Sequence, residues 1–449
     1  MSPTSIVWLR DDLRVGDNPA LSAAVNRGEP VVVVFILDEV SRGIRRLGGA
    51  RRWWLHYSLT SLAESLEALG GSLVLRRGAA EEVLPALVAE VGADAVFWNR
   101  RYGAAREIDA RLKTRFKDEG LDAQSYQANL LFEPWTVKNQ SGGPFQVFTP
   151  FWKACVERGV HRDPFPTPDA VEGPEVPTDD LNDWNLLPTH PDWAAGLREH
   201  CEPGEDAAHE RLETFVDDIL EIYSERDHPA TEATSGLSPH LAFGEISPFQ
   251  IWQRATHLSD PAAKKNVDKF LSEVGWREFN YSILFNNIDL AEKNYRDEFD
   301  AFEWDEPHVS RLRAWQQGRT GIPLVDAGMR ELWESGTVHN RVRMVCASFL
   351  IKNLLVDWRI GEKWFWDCLV DADEASNPAN WQWVAGSGAD AAPYFRVFNP
   401  VLQAEKFDRD SIYIKRWVPE YGTQDYPEPI VDLAKSREEA LARYAASRA

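Results

Sequence analysis

The sequence of 449 residues has few cysteines, and their spacing suits neither a metal site nor a disulfide framework. The four cysteines lie far apart and form no CxxC pair: Cys155, Cys201, Cys346 and Cys368. No HExxH motif is present either. Structural zinc, disulfide frameworks and zinc-protease chemistry each need such spacings. The sequence therefore predicts no metal, and we expect its chemistry to depend on an organic cofactor.

Long apolar runs are also missing. The longest run near the start, VVVVFIL, has only seven residues, whereas a bilayer-spanning helix needs about 20. The N-terminus, MSPTSIVWLRDDLR, passes directly into a charged strand-like segment without the apolar core of a signal peptide. These features predict a soluble, cytoplasmic protein with no membrane partner.

Positive charge is scarce, since 49 Lys and Arg residues face 71 Asp and Glu residues, for a net charge of -22. Such an excess repels nucleic acid at long range, but salt screens it beyond about 8–10 Å. Basic side chains recur in the second half of the chain: Arg226, Arg277, Arg341, Arg343, Arg396, Lys406 and Arg409. A local basic patch for nucleic acid is therefore compatible with the acidic total.

Residues 1–132 alternate strand and helix signals. Short β-branched apolar runs (SIVWL, VVVVFIL, SLVLRRG, AVFWNR) are separated by helical patterns at about 51–69 and 80–91. This alternation predicts an α/β domain with a doubly wound parallel sheet. The loop after the first strand, RDDLRVGDNPAL, lacks the GxGxxG pattern, so a standard dinucleotide-binding domain is not expected.

The composition changes twice more along the chain. Residues 133–204 are rich in Pro, Asp and Gly, as in FPTPDAVEGPEVPTDDLNDW, and predict an interdomain linker. From 205 to 449 the pattern is helix after helix, which predicts an all-α domain.

Residues 337–400 hold an unusual density of polar and aromatic side chains. Asn340 and Met344 are four apart and share a predicted helical face, and Asp371 and Asp373 follow in a helix-to-loop passage. Eight of the 19 tryptophans lie between residues 304 and 383. A single Trp or Met at helical spacing usually packs in a core, but the combination predicts a pocket for a planar polar ligand.

Two further motifs are weaker. Residues 234–238, TSGLS, resemble a turn entering a helix, where hydroxyls and backbone N–H groups can bind phosphate, although such clusters more often only cap the helix. Glu273, Trp276 and Arg277 have i, i+3, i+4 spacing, which places them on one helical face. An intrahelical Glu–Arg pair beside a core Trp is the alternative explanation.

Nearly the whole chain, from IVWLRDDLRVGDNPAL through FTPFWKA to YFRVFNPVLQAEKFD, resembles the photolyase/cryptochrome family. It is most similar to DNA photolyases that act on cyclobutane pyrimidine dimers. The resemblance implies an α/β domain followed by an all-α FAD-binding domain. It also implies light-driven repair, by electron transfer from excited reduced FAD to a lesion flipped out of DNA.

The resemblance assigns site residues by their positions in the motifs. The implied FAD-binding residues are Tyr223, Thr234, Ser235, Gly236, Leu237, Ser238, Arg277, Asn340, Arg343, Asp371, Asp373 and Asn377. Within this set, Arg343 and Asp371 are expected to form an ion pair beside the isoalloxazine, and Asn377 is expected to face flavin N5.

Lesion and DNA contacts are implied in the same way for Arg226, Glu273, Trp276, Arg277, Asn340, Arg341, Met344, Trp383, Arg396 and Gln403. The implied catalytic residues are Glu273, Asn377 and Met344. The implied electron-transfer triad is Trp381, Trp358 and Trp304. The expected partner is DNA that contains pyrimidine dimers, bound by a monomer.

Three alternatives remain open. A cryptochrome, a blue-light receptor without repair activity, shares the fold, but plant cryptochromes typically carry Asp where this chain has Asn377. A photolyase for the (6-4) lesion should show a His pair where His339 is followed by Asn340. An electron-transfer flavoprotein without DNA would leave Glu273, Trp276 and Trp383 unexplained.

The resemblance also implies an antenna chromophore. Lys293 matches a folate-contacting position, but Arg106 stands where an acidic pattern is expected. Methenyltetrahydrofolate, a deazaflavin and FMN all stay open as the antenna.

Overall fold

The apolar runs near the N-terminus form a parallel five-stranded sheet in the computed structural model, which describes residues 3–258, 263–392 and 395–448. Its strands are β1 (Thr4–Leu9), β2 (Val31–Leu37), β3 (Leu73–Arg77), β4 (Ala93–Asn99) and β5 (Asp122–Tyr126). They are ordered β3-β2-β1-β4-β5. Side chains of β1 alternate between the two faces of the sheet, and both faces are buried, as a parallel sheet requires.

Helices cover both faces of this sheet. They are α1 (Pro19–Val25), α2 (Gly49–Ala68), α3 (Ala80–Val91) and α4 (Arg106–Asp118). The first two pack with one face of the sheet, and the last two pack with the other face. The predicted doubly wound α/β fold is therefore confirmed.

The carboxyl edge of β1 and β4 is the point where strand order reverses, and nucleotides bind there in many doubly wound domains. Here Arg10 Nη2 donates to Asn99 O (2.5 Å) and to Asp109 Oδ2 (3.1 Å). Asp12 accepts from Arg10 N (2.6 Å) and from Asn99 Nδ2 (2.7 Å). Buried polar side chains thus hydrogen-bond one another at this edge. The loop after β1 also lacks the GxGxxG motif that binds a dinucleotide at the corresponding edge of other doubly wound domains.

The segment at 133–204 contains α5 (Phe148–Arg158), a 3₁₀ turn (Leu181–Trp184) and α6 (Ala195–His200). Its irregular part is tied to the α/β region by backbone bonds, including Val31 N to Glu172 O (2.8 Å) and Asp179 N to Leu75 O (3.0 Å). The boundaries at residues 132 and 204 stay predictions.

The rest of the described chain is helical, as predicted. The α-helices are α7 (Glu205–Thr214), α8 (Ser238–Phe243), α9 (Pro248–Thr256), α10 (Lys264–Asn286), α11 (Val309–Gln316), α12 (Pro323–Ser335), α13 (Asn340–Ser348), α14 (Trp358–Cys368), α15 (Ser376–Ala385), α16 (Pro400–Phe407), α17 (Ile412–Trp417) and α18 (Leu433–Ala446). Short 3₁₀ turns lie at Leu220–Glu225 and Asp297–Ala301, and π turns lie at Phe215–Ile219 and Phe349–Asn353.

Close packing of α14 on α15 positions the predicted site. Gly361 allows this approach, since a Cβ there would lie 2.2 Å from Cη2 of Trp381. Helix α14 begins at a side-chain cap, in which Asp357 accepts from the backbone N–H of Arg359 (2.9 Å). None of the described helices has the length and apolar character needed to cross a bilayer.

Candidate functional site

Asn377, in the first turn of α15, has a fixed amide orientation. Its Nδ2 donates to Glu362 Oε1 (2.7 Å) and to Glu362 O (3.1 Å) on α14. Its carbonyl oxygen accepts no hydrogen bond from the residues that the structure describes. The amide therefore offers an acceptor to a ligand, not a donor.

The ion pair expected between Arg343 and Asp371 is present. Arg343 Nη1 and Nη2 lie 3.1 and 2.8 Å from the two carboxylate oxygens, and its Nε donates to Val338 O (2.6 Å). Asp371 also accepts from Ser238 Oγ (2.7 Å), so residues from three separate elements meet at one carboxylate. Bidentate pairing of this kind fixes both side chains.

Asp373 acts first as a helix cap. Its Oδ1 accepts from the backbone N–H groups of Ala375 (2.8 Å) and Ser376, at the start of α15. The residue is 9% exposed. This contact fixes the start of the helix that carries Asn377, and a direct contact of Asp373 with the flavin stays a prediction.

The loop at residues 234–238 is stabilised by Arg211, which the sequence did not single out. Arg211 on α7 donates to Ser235 O (2.6 Å) and Thr234 O (3.0 Å). Gly236 has a φ of +68°, and a Cβ there would lie 2.7 Å from Arg211 Nε. Glycine is thus required for this close approach. Thr234 and Ser238 are exposed, whereas Leu237 is buried.

Tyr223 lies among aromatic rings. Its ring centroid is 5.5 Å from those of Phe215 and Phe270, and the residue is 4% exposed. Burial raises the pKa of the Tyr223 phenol. The side chain is therefore neutral and closely packed, and the Arg226 guanidinium lies 5.4 Å from the centroid of its ring.

Glu273 and Arg277 on helix α10 bond different partners. Glu273 Oε1 accepts from Arg226 Nη1 (2.6 Å) and Lys269 Nζ (2.9 Å). Arg277 Nη1 donates instead to Asn129 O (2.6 Å). Their i, i+4 spacing on one helix is as predicted, but no ion pair joins Glu273 and Arg277 among the described residues, because the Arg277 guanidinium bonds the segment that follows β5.

Trp276 stacks on Phe148, with ring centroids 3.8 Å apart and an interplanar angle of 10°. Trp276 and Trp383 line one cavity between α10 and α15. The two helices are joined beside it by Asn280 Nδ2 and Ser376 Oγ (3.4 Å), one residue before Asn377. The structure thus brings both predicted lesion-site tryptophans to the helix that carries Asn377.

The start of α13 is organised by His339. Its Nδ1 accepts from Arg341 N (3.2 Å) and its Nε2 lies 2.8 Å from Arg226 O, which indicates the Nε2–H tautomer. Burial lowers the pKa of the imidazole to about 4. Arg341 donates to Asp227 Oδ2 (2.8 Å), and Nε of Arg341 and of Arg226 are buried without a partner among the described residues.

The remaining predicted DNA contacts are spread along α13, α16 and the segment before it. Asn340 is exposed, and Met344 is half-buried against the helical core. The Arg396 guanidinium lies 5.7 Å from the Trp383 ring. Gln403 Oε1 is buried with no partner among the described residues. The structure places Arg396 near the cavity and gives Gln403 an unused acceptor.

The three tryptophans of the expected triad belong to one apolar cluster. Trp381 and Trp358 are 3% and 0% exposed, and Trp304 is half-buried. The Trp381 ring contacts Phe365, with centroids 4.9 Å apart. The order of burial, with Trp304 outermost, is compatible with the predicted relay, whose electron transfer stays a prediction.

Residues near the expected folate position have internal partners. Arg106 Nη1 donates to Phe285 O (2.8 Å), with its guanidinium 4.0 Å from the Phe285 ring. Lys293 is exposed and pairs with Asp289 (2.5 Å). A folate contact by Lys293 stays a prediction.

Family models match both parts of the chain. Residues 5–169 match the model of DNA photolyase, and residues 270–424 match the FAD binding domain of DNA photolyase. The chain is 50% identical over 470 aligned residues to a deoxyribodipyrimidine photo-lyase of Agrobacterium fabrum, covering 98% of this chain and 97% of that protein. It is 36% identical to cryptochrome-1 of Arabidopsis thaliana, covering 93% of this chain and 63% of that protein.

Comparison with solved structures agrees with the family models and the sequence relatives. The crystal structure of a bacterial class III photolyase from Agrobacterium tumefaciens matches with a TM-score of 0.95 at 50% identity, covering 100% of this chain and 98% of that one. The chain therefore belongs to the photolyase/cryptochrome family and combines the α/β domain of the DNA photolyases with their helical FAD-binding domain.

Proposed function

We propose that the chain repairs cyclobutane pyrimidine dimers in DNA in a light-dependent reaction. The observation that carries the proposal is the convergence of Trp276 and Trp383 between α10 and α15, next to the helix turn that holds Asn377. Two aromatic rings can stack on bases, and a fixed amide acceptor suits a flavin ring. An electron-transfer flavoprotein without a DNA substrate would leave this pair of tryptophans unexplained.

The donor set of the helical domain fits FAD. Hydroxyls of Thr234, Ser235 and Ser238 lie on the loop that Arg211 stabilises, and they suit a pyrophosphate. The Arg343–Asp371 pair and the Asn377 carbonyl suit the polar edge of an isoalloxazine. When bound, FAD supplies the photoexcited electron donor for the reaction.

The protein's own task is to hold the lesion where that electron can reach it. Taking a damaged base pair out of the stack costs a few kcal/mol, less than for an intact pair, so the lesion itself favours extrusion. The rings of Trp276 and Trp383 replace the lost stacking. We assign to Glu273 a hydrogen bond from a pyrimidine N–H, since its carboxylate is fixed by Arg226 and Lys269. Met344 adds an adaptable apolar contact.

Around the cavity, we assign phosphate and sugar contacts to Arg226, Arg341, Arg396 and Gln403. Arg226 and Arg341 each have a buried Nε–H without a partner among the described residues. The carbonyl oxygen of Gln403 is an acceptor that likewise has no described partner. The two guanidinium groups are local donors that allow binding to DNA despite the net charge of -22.

The test is repair of an oligonucleotide with one thymine dimer by holoprotein with chemically reduced flavin, in near-UV light and in darkness. We expect Glu273→Gln to lower the light-driven repair rate about tenfold, because a charge-assisted hydrogen bond is lost. Lys269→Gln is the matched control, since Lys269 contacts the same carboxylate from a 50% exposed position. Equal repair by Glu273→Gln and the wild type would contradict the assignment of Glu273.

A cryptochrome-type photoreceptor is the second candidate, favoured by the 36% identity to the Arabidopsis protein. It predicts light-dependent flavin chemistry and no repair in the same assay. For the repair enzyme, we propose a monomer that acts on chromosomal DNA in the cytoplasm. We also propose an antenna chromophore, with methenyltetrahydrofolate, a deazaflavin and FMN as the candidates.

A further inference from the structure

Arg45 links the α/β domain to the helix behind Asn377. It lies in the loop between β2 and α2, and its Nη1 and Nη2 reach Glu362 Oε1 (2.6 Å) and Oε2 (2.8 Å) on α14. The guanidinium also lies 3.8 Å from the centroid of the Trp366 ring. One arginine thus makes a bidentate ion pair and a cation–π contact across the domain boundary.

Glu362 lies between Arg45 and Asn377. Its side chain is 1% exposed, and its Oε1 also accepts from Asn377 Nδ2 (2.7 Å). A buried carboxylate without a counter-charge is strongly disfavoured, and the loss of one partner of a buried pair destabilises a protein. Arg45 pairs with the Glu362 carboxylate at this position and supplies its counter-charge.

We propose that Arg45 is a positioning residue for Asn377, and that it favours reduced over oxidised flavin from the opposite domain. The proposal rests on the proposed function, in which Asn377 faces flavin N5. A carboxylate accepts hydrogen bonds and cannot donate them, so Glu362 forces Asn377 to turn its NH₂ toward α14 and its carbonyl oxygen toward the ligand. A carbonyl oxygen accepts from the N–H at N5 of reduced flavin, whereas N5 of oxidised flavin has no hydrogen to donate.

The loop that carries Arg45 is held firmly against α14. Trp366 Nε1 donates to Arg46 O (2.9 Å), and the backbone N–H of Gly49 donates to Asp367 Oδ1 (2.8 Å). A Cβ at Gly48 would lie 2.2 Å from Trp366 O, so glycine permits this approach. Backbone contacts therefore fix the loop independently of the Arg45 side chain, and the removal of that side chain should leave the two domains docked.

The experiment measures the equilibrium between oxidised and reduced FAD in purified holoprotein, against a redox dye of known potential, together with the rate of reoxidation in air. For Arg45→Gln we expect the equilibrium to shift about tenfold toward oxidised flavin, the size expected for one charge-assisted hydrogen bond. Arg45→Lys should restore part of the shift, because it keeps the charge but loses the bidentate geometry. Arg46→Gln is the matched control, since the side chain of Arg46, the exposed neighbour of Arg45, bonds only Glu39 O among described groups.

A double variant, Arg45→Gln with Glu362→Gln, covers the case in which the single variant folds poorly. It leaves no unpaired buried charge, and it frees the Asn377 amide to turn, so the same shift is expected. A wild-type equilibrium in both Arg45→Gln and the double variant, at full FAD content, would overturn the proposal. DNA is not needed, so a wild type that fails to repair dimers contradicts the proposed function, whereas an unchanged equilibrium with intact repair contradicts only the role of Arg45.

Discussion

Two arginines, one in each domain, differ in how many of their guanidinium donors have partners in the protein. Arg14, after β1, is fully buried and donates five hydrogen bonds, to Asp17 O twice and to Asn129 Oδ1, Gly244 O and Ala128 O. Arg341, on α13, makes one side-chain hydrogen bond to a described residue, Asp227, and its buried Nε has no partner there.

The difference separates structural from binding arginines. A guanidinium whose donors are all used holds loops together and has nothing left for a ligand. A guanidinium with a buried, unused donor has already lost water from part of its surface and gains most from a phosphate. By this measure Arg226 resembles Arg341, since its Nε is also buried without a described partner.

The largest expected effect concerns Arg14, the structural arginine of the pair. Arg14→Met leaves several buried carbonyl groups without their donor, so we expect it to lower the free energy of unfolding by about 4 kcal/mol. Urea unfolding of the holoprotein measures this. Arg341→Gln, in parallel, should cost less than about 1 kcal/mol. Similar losses in both variants would contradict the distinction.

An intermediate effect concerns His339, which bonds the backbone at Arg226 and Arg341. Its pKa is lowered to about 4 by burial, so the unfolded chain binds more protons than the folded one between pH 4 and 6.5. The contribution of His339 to stability is therefore present above pH 6.5 and is lost as pH falls toward 4, by about 3 kcal/mol.

The measurement is the free energy of unfolding of wild type and His339→Gln at several pH values. Glutamine keeps a donor and an acceptor but does not titrate, so the difference between the two proteins should shrink as pH falls. A difference that does not change across this range would show that the imidazole is not buried in its neutral form.

The smallest expected effect concerns DNA binding by Arg341, the binding arginine of the pair. Arg341→Gln should weaken binding of dimer-containing DNA by about 1 kcal/mol and reduce the slope of log affinity against log salt by about 1. Fluorescence anisotropy in darkness at several salt concentrations measures both. Arg111→Gln is the control, since Arg111 is an exposed arginine of α4 paired with Glu81. Identical salt slopes for wild type and Arg341→Gln would remove Arg341 from the DNA interface.

The fold could be predicted because its signals are local. Apolar runs such as VVVVFIL and the helical periods between them lie within single elements, and they appear as β2, α2 and α3 nearly where expected. The spacing of Asn340 and Met344 likewise needs only one helix, and both lie on α13.

Much of the site could not be predicted in this way. Glu362 lies in an amphipathic helix, WRIGEKWFWDC, where an acidic residue usually faces solvent, and its partner Arg45 is 317 residues away. Arg211 resembles any charged residue of a surface helix, but it holds the carbonyl groups of the 234–235 turn. Arg277 has the spacing of a pair with Glu273, and only tertiary packing turns it to Asn129. Contacts between distant segments decide these roles, and periodicity carries no signal for them.

Lesion repair is the central claim, and one measurement tests it most directly. Holoprotein with reduced flavin is mixed with two oligonucleotides, one with a single thymine cyclobutane dimer and one with a (6-4) lesion, and is then kept in blue light or in darkness. We predict that only the cyclobutane dimer is restored to intact bases, and only in light. Binding of both oligonucleotides without restoration of either one in light would contradict the account and favour a photoreceptor.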